Sequence, residues 1–321
     1  MQFPRELLAT LDAIVSTGSF EGAADALSVT PSAVSQRVRG FERSLGRILV
    51  VRSRPAGLTD DGAALLRLAR QVAILEHETA AAMGLDEQST APTVPIAVNA
   101  DSLATWLLPA VVTAAIESGA VLDLHRDDQD HTEQLLASGT VVAAVTTRAD
   151  PIAGCIAMPL GRMTYRPMAS PEFIARWFPG GVTVVALNQA PIVDFDRKDD
   201  LQTLGLAALA AAAGAGASAS DLATAALTPP RSFVPASADF VVSVELGLGW
   251  AMVPDVQARD AVAAGRLVAL ATLWPCAPGS TAADCTIDVP LHWQQWDLRS
   301  SMLDAIAAAV IQHARAELTR S

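Results

Sequence analysis

Aromatic residues are scarce, 5% of the 321, and there are three cysteines. A core short of rings must be filled by Ala, Val and Leu, which the 51% hydrophobic content supplies, so the composition is globular. Cys155, Cys276 and Cys285 are odd in number, widely spaced and without a CxxC pair; this excludes a disulfide framework or structural zinc and leaves ordinary thiols. No apolar stretch approaches the length needed to span a bilayer, and Met1-Gln2-Phe3-Pro4-Arg5-Glu6 lacks the basic-then-apolar layout of a signal peptide, so a cytoplasmic protein is expected. Also missing are a GxSxG elbow, a P-loop, HExxH and a complete GxGxxG, since Gly247-Leu248-Gly249 runs on into Trp250-Ala251-Met252. The five histidines are scattered, with His131 beside Asp130 as the one pair of interest. Neither an enzyme nor a cofactor or metal ion is expected. An α/β enzyme and a solute-binding protein are the competing classes, the second opposed by the absent signal peptide.

A length of 321 residues suits two domains. The net charge of −12 looks wrong for binding nucleic acid, which needs Lys and Arg against phosphate. Its distribution reverses that impression. Residues 1–58 carry Arg5, Arg37, Arg39, Arg43, Arg47, Arg52 and Arg54, enough for a local basic face on an acidic molecule.

Leu7, Leu8, Leu11, Ile14 and Val15 recur at helical spacing, and Gly18 supplies a stop. Ser19 caps a second helix whose inner stripe is Phe20, Ala23, Ala24 and Leu27. Thr30 as N-cap and Pro31 as first residue open a third. There Val34, Val38, Phe41 and Leu45 face inward, while Ser32, Ser35, Gln36, Arg39 and Arg43 line the other side, with Arg37 nearby. Such a face suits the major groove, Ser and Gln reading base edges and Arg reading guanine or holding phosphate. A strand Ile48–Val51, the tip Arg52-Ser53-Arg54-Pro55-Ala56-Gly57 and a return at Leu58 make a wing. Its two arginines suit the minor groove or phosphates. This domain spans 1–58.

Thr59-Asp60-Asp61 starts a long helix, and residues 59–90 form a linker and hinge. Leu65, Leu68, Val72, Leu75, Thr79 and Ala82 alternate steps of three and four, a seam that calls for a partner helix, with burial against the chain's own body as the competing reading. Beyond it strand and helix alternate: strand 94–98, helix 102–118, strand 121–125, helix 132–138, strand 141–145, which predicts a parallel sheet covered on both faces. Residues 158–185 read as strand-rich, and helices follow at 239–247 and 255–265. Residues 205–230 are Ala/Gly-rich and carry no assigned role.

The order of three helices, wing and long linker resembles the LysR-type regulators over essentially the whole chain. Gly18-Ser19-Phe20, Ala23-Ala24, Leu27, Pro31, Ser35, Gln36, Arg39, Phe41-Glu42, Leu45-Gly46, Leu49, Arg52 and Leu58-Thr59 look like that family's helix-turn-helix signature. Other stretches resemble one branch, the lysine- and arginine-responsive regulators of amino-acid export (ArgP or LysG): Val98 to Trp106, Asp128 to Thr132, Ala169-Ser170-Pro171, Arg176-Trp177-Phe178, Phe195 to Leu201 and Gly247 to Trp250. The Ala-rich stretch near 210 departs from the branch. The resemblance implies an α/β effector domain over 91–321 with two periplasmic-binding-protein-like lobes, lobe I about 91–163 and 268–321, lobe II about 164–267, the chain crossing near Arg162–Arg166 and Leu267–Leu270, and the effector in the cleft. It implies double-stranded operator DNA and a basic amino acid as partners, dimers or dimers of dimers, and admits RNA polymerase.

Ligands of open parallel sheets bind beyond the carboxyl ends of the strands. A basic amino acid needs amides and hydroxyls for its carboxylate and carboxylates for its cations. Asn99, Asp101, Ser102, Asp128, Thr146 and Thr147 are the candidates from the first lobe, and Asp194, Ser237 and Asp239 from the second. Each has a plainer reading as a helix cap or a solvated turn.

Overall fold

A computed structural model of the chain describes residues 3–85, 91–126, 129–213, 227–273 and 285–319. They form two compact units, one of residues 1–99, 109–159 and 292–312, the other of 100–108, 160–291 and 313–321.

The first unit opens with α1 (Arg5–Thr17), α2 (Phe20–Ala26) and α3 (Pro31–Leu45). The expected boundary residues act as expected: Ser19 accepts the Gly22 amide at 2.9 Å, Thr30 accepts the Ala33 amide at 3.2 Å, and Gly18 and Gly46 close their helices at φ +70° and +67°. Leu7, Leu11, Ile14, Ala23, Ala24, Val34 and Val38 share one core, with Phe41 and Leu45 packed partly against it. Each fully buried Leu, Ile or Val contributes about 1.5–3 kcal/mol. The wing is β1 (Val50–Val51) paired antiparallel with β2 (Gly57–Leu58), shorter than the expected strand. At its start the Glu42 carboxylate of α3 accepts the amides of Leu49 (2.8 Å) and Val50 (3.3 Å), taking the place of a strand partner.

Helix α4 (Asp60–Ala82) is capped by Thr59, which accepts the Gly62 amide at 3.2 Å. Leu65 belongs to the helix-turn-helix core, so it is not open to the seam assigned to it. Leu68 and Val72 are half-buried and Leu75 is exposed. The polar side chains of α4 reach the α/β part of the same unit. Arg70, 7% exposed, donates to Asp12 (2.8 Å) and to the carbonyls of Gly139 (3.0 Å) and Thr140. Arg67 donates to the carbonyls of Leu136 (3.1 Å) and Ala137 (3.3 Å) and lies 5.5 Å over the Trp296 ring. Glu78 accepts from the Ser300 hydroxyl (2.8 Å) and the Met302 amide (2.9 Å) at the start of α12 (Ser301–Glu317). Burial against the chain's own body therefore describes much of this helix.

The sheet of the first unit follows from the βαβαβ order. β3 (Thr93–Val98) pairs in parallel with β4 (Val121–Arg126) and β5 (Ala143–Thr146), and β5 pairs antiparallel with β11 (Ile287–Trp296). The crossovers are α5 (Ala100–Ser118), with a π turn at Leu103–Leu107, and α6 (Gln129–Ala137). Contrary to expectation, α5 has the length and composition of a membrane-crossing helix. It links two parallel strands, however, and buries Trp106, Leu107, Ala110, Val111, Ala114 and Ala115.

In the second unit β6 (Cys155–Ala169) pairs antiparallel with β9 (Ala251–Pro254) and β10 (Val268–Ala269). The chain enters this unit at Leu160 and leaves it after Leu291. The return lies well beyond the expected Leu267–Leu270 because β10 still pairs with β6 there. Beyond β6 the expected strand-rich stretch gives way to two short helices: Ser170 caps α7 (Pro171–Trp177) and Thr183 caps α8 (Val184–Gln189). β7 (Ile192–Asp194), α9 (Leu201–Ala213), β8 (Arg231–Phe233), α10 (Ser237–Glu245) and α11 (Asp255–Ala263) complete it. Val193, Phe240, Val244, Val253 and Ala258 meet in its core. Cys155 is a buried free thiol and Cys285 is buried, while Cys276 and residues 214–226 lie outside the described residues.

Replacing Arg70 by Ala leaves Asp12 and two carbonyls without their donor, and a loss of about 2–4 kcal/mol in urea unfolding is expected. Arg70→Lys recovers part of this, because an ammonium lacks the planar fork. Wild-type stability of Arg70→Ala would show the cluster to be ornamental.

Candidate functional site

On α3, Ser32, Gln36, Arg39 and Arg43 are exposed and Ser35 is half-buried. Thr30 and Pro31 start the helix at the position that puts this row outward and Val34 and Val38 inward. Arg43 donates to the Arg39 carbonyl at 3.2 Å. On the wing, Arg52 and Arg54 are exposed, Arg52 lying 5.2 Å over the Phe20 ring. Arg39, Arg43, Arg52 and Arg54 have no carboxylate partner among the described residues. Arg37 is set apart, half-buried and 3.6 Å from Glu6. A cavity of about 550 Å³ at the end of α3 is lined by Arg39, Glu42, Arg43, Gly46, Arg47 and Ile48. Arg47, absent from the sequence-based set, is held by both oxygens of Asp61 at 2.8 and 3.0 Å. Short polar side chains followed by unneutralised arginines form a surface able to meet base edges and phosphates.

A second constellation lies in the second unit. Asp101, in the first turn of α5, accepts from the Tyr165 hydroxyl on β6 (2.8 Å) and from the Ser237 hydroxyl at the start of α10 (2.7 Å). Gln257 of α11 donates to the Ser237 carbonyl at 2.8 Å. Tyr165 is 4% exposed and Ser237 7%. Burial, the neighbouring Asp101 and Asp199 charges and the bond to Asp101 hold the Tyr165 hydroxyl well above its ordinary value, so it remains a donor. Asp199 accepts the Leu201 amide at 2.9 Å, at the start of α9. Its carboxyl is raised by burial and by the charges of Asp101, Asp196 and Asp194, the Leu201 amide opposing.

Asp194, at the end of β7 and 1% exposed, accepts from Arg231 at 2.6 Å. Its other oxygen is buried without a partner among the described residues, and burial raises its carboxyl against the pull of Arg231. Among the described residues no group of carboxylates and histidines could hold a metal ion. Of the sequence-predicted set, Asp101, Ser237 and Asp194 thus belong to this neighbourhood, Ser102 is buried beside Asp101, and Asp239 is exposed in the first turn of α10. Asp128 lies outside the described residues.

Asn99, Thr146 and Thr147 are in the first unit. The register Ala97 opposite Ala144 brings Asn99, just past β3, level with Thr146 at the end of β5. Thr146 accepts the Arg148 amide at 2.8 Å. Buried Gln294 fixes the loop that follows, donating to the carbonyls of Arg148 (3.0 Å) and Asp150 (3.1 Å) and accepting the Ile152 amide (3.0 Å). His292 lies directly across from Thr146, its Nδ1 buried and unpartnered among the described residues.

Sequence reasoning missed Tyr165, Asp199 and His292. Asp199 sat within the quoted Phe195–Leu201 run, and Tyr165, the single tyrosine of the chain, gave no pattern to notice. A hydroxyl meeting a carboxylate 64 residues away leaves no local signal.

Residues 6–63 match the bacterial regulatory helix-turn-helix protein, lysR family. The transcriptional regulator LysG of Mycobacterium tuberculosis is 39% identical over 306 residues, covering 94% of this chain and 91% of that protein. The lysine export transcriptional regulatory protein LysG of Corynebacterium efficiens is 38% identical over 314 residues, covering 97% and 98%. Among solved structures, that of ArgP from Mycobacterium tuberculosis superposes with a TM-score of 0.75 at 37% identity, covering 100% of each chain. Full-length LysG from Corynebacterium glutamicum with bound effector Arg gives 0.69 at 34%, covering 99% of this chain and 100% of that one.

Two outcomes are expected from these surfaces. In binding titrations against an operator and its single-position variants, Gln36→Ala relaxes preference at one position by about 1–3 kcal/mol, whereas Arg43→Ala weakens all sequences alike. Undiminished discrimination by Gln36→Ala removes that residue from base reading. In the second unit, Asp199→Asn keeps an acceptor for the Leu201 amide but removes a crowded buried charge, so the ligand-free protein should melt higher at pH 7. The gain should vanish below the carboxylate range, where Asp199 is protonated in both states; a lower melting point at pH 7 contradicts the crowding.

Proposed function

Because the chain belongs to the LysR family of DNA-binding transcriptional regulators, in the branch of LysG and ArgP, we propose that it senses L-lysine or L-arginine and controls the gene of a basic amino-acid exporter. The family is non-enzymatic, and the chain is not an enzyme. In this reading α3 enters the major groove with Ser32, Ser35, Gln36, Arg39 and Arg43 while Arg52 and Arg54 of the wing grip the flanking backbone.

One observation carries the effector assignment: the charges of Asp101, Asp196 and Asp194 all act on the partly buried carboxyl of Asp199 in one neighbourhood of the second unit. Negative charge crowded into a partly buried site is relieved by an organic cation, which a basic amino acid supplies. The export regulator from Corynebacterium efficiens and the Arg-bound LysG from Corynebacterium glutamicum support the same class of effector. Self-association through the outer face of α4, at Leu68, Val72 and Leu75, places two recognition helices on one operator, and a regulator so seated works in the cytoplasm within reach of RNA polymerase.

Thermal unfolding with a panel of amino acids tests the reading. L-Lysine or L-arginine at a hundred times its dissociation constant adds about 2.7 kcal/mol of stability, and neutral or acidic amino acids at the same concentration add much less. A shift from another class alone, or from none, overturns the effector assignment.

A further inference from the structure

We infer that Tyr165 is a positioning residue for cation recognition: its hydroxyl, with that of Ser237, locks the Asp101 carboxylate so that it presents its remaining lone pairs to an ammonium or guanidinium group. This rests on the effector reading above.

An aspartate in the first turn of a helix ordinarily turns back to the helix's own free amides. Asp101 does not. Its two oxygens are taken by side chains 64 and 136 residues away in sequence, from β6 and α10. A carboxylate has about four acceptor positions, so one bond on each oxygen fixes the orientation of the group and leaves capacity on both. The two donors are themselves immobile: Tyr165 and Ser237 are buried, and Gln257 holds the Ser237 backbone from α11. Tyr165 cannot turn from donor to anion, since burial and the acids around it hold its proton.

Cations close to this network in sequence are engaged elsewhere, Arg166 with both oxygens of Asp255 at 2.8 Å, Arg259 with Glu317 at 3.1 Å and Arg231 with Asp194 at 2.6 Å. The oriented carboxylate lies close enough to Asp199 for its charge, with those of Asp196 and Asp194, to act on that acid, so the neighbourhood is rich in negative charge. Preorganisation of this kind raises affinity because no side-chain freedom is lost when the ligand arrives.

The test is isothermal titration calorimetry on the full chain, comparing wild type, Tyr165→Phe, Asp101→Asn and the double variant. The ligands are L-lysine, L-arginine, L-citrulline, which lacks the side-chain cation, and argininic acid, which lacks the α-ammonium. Tyr165→Phe keeps the buried ring, and about a tenfold rise in the dissociation constant for L-lysine and L-arginine is expected. If Asp101 receives the α-ammonium, the loss extends to citrulline and spares argininic acid; if it receives the side-chain cation, the pattern inverts. Either pattern supports the inference, as does absence of any further loss when Tyr165→Phe is added to Asp101→Asn. Ser237→Ala, acting on the other oxygen, should follow the same ligand pattern. Wild-type affinity in Tyr165→Phe, equal weakening of all four ligands, or losses that multiply in the double variant overturn it while leaving the effector reading standing. A wild-type protein that binds neither L-lysine nor L-arginine overturns both.

Discussion

The guanidinium of Arg70 leaves solvent almost entirely, and the groups that receive it set how the first unit is built. An unpaired buried cation costs several kcal/mol, so Arg70 is tolerable only where Asp12 of α1 and the carbonyls of Gly139 and Thr140 converge on it. Those partners come from the DNA-binding helices and from the turn before β5. A single helix therefore has to satisfy two cores: Leu65, Leu66 and Ala69 bury its apolar side, and Arg67, Arg70 and Glu78 anchor its polar side. Binary patterning explains the first demand. Hydrogen-bond satisfaction explains the second, because each of these side chains closes carbonyls or amides left open at a helix end or turn.

The same distinction decides what could be read from the sequence. Helix boundaries were legible because their chemistry is local: Ser19, Thr30 and Thr59 each meet an amide three residues on, and Gly18 and Gly46 adopt the left-handed turn that a side chain would resist. Applied to Ser170-Pro171 and Thr183, the same reasoning would have found α7 and α8, which apolar content had disguised as strand. The parallel βαβαβ order was equally visible, since its strands and crossovers alternate within short windows. The end of the second unit was not. β10 is two residues long, and only its pairing with β6 shows that the chain has yet to return.

For the site, sequence pattern supplied anions and hydroxyls but not their relations. Asp101 and Ser237 were both chosen as ligand contacts, whereas the geometry gives one as the donor that orients the other. Asp194 was chosen as a ligand carboxylate, and one of its oxygens is committed to Arg231. Asp199 escaped notice among neighbouring charges, although burial and the charges of Asp101, Asp196 and Asp194 raise its carboxyl. Leu65 marks the same limit on the linker, where a heptad-like step cannot tell a partner's helix from the chain's own core.

Charge on this molecule is sorted by use rather than by total. Several arginines of the first 58 residues are committed to structure: Arg5 to Glu76, Arg37 to Glu6 and Arg47 to Asp61. The four left without acidic partners among the described residues, Arg39, Arg43, Arg52 and Arg54, are those on the outer face of α3 and on the wing, where phosphate would replace lost hydration. In the second unit the imbalance is reversed, with aspartates crowded beside a buried tyrosine that holds its proton. Both surfaces carry an excess of charge of one sign, offset in the second unit only in part by pairs such as Arg231 with Asp194, and a ligand of opposite sign relieves the remainder. A net charge of −12 averages over these two surfaces and so describes neither.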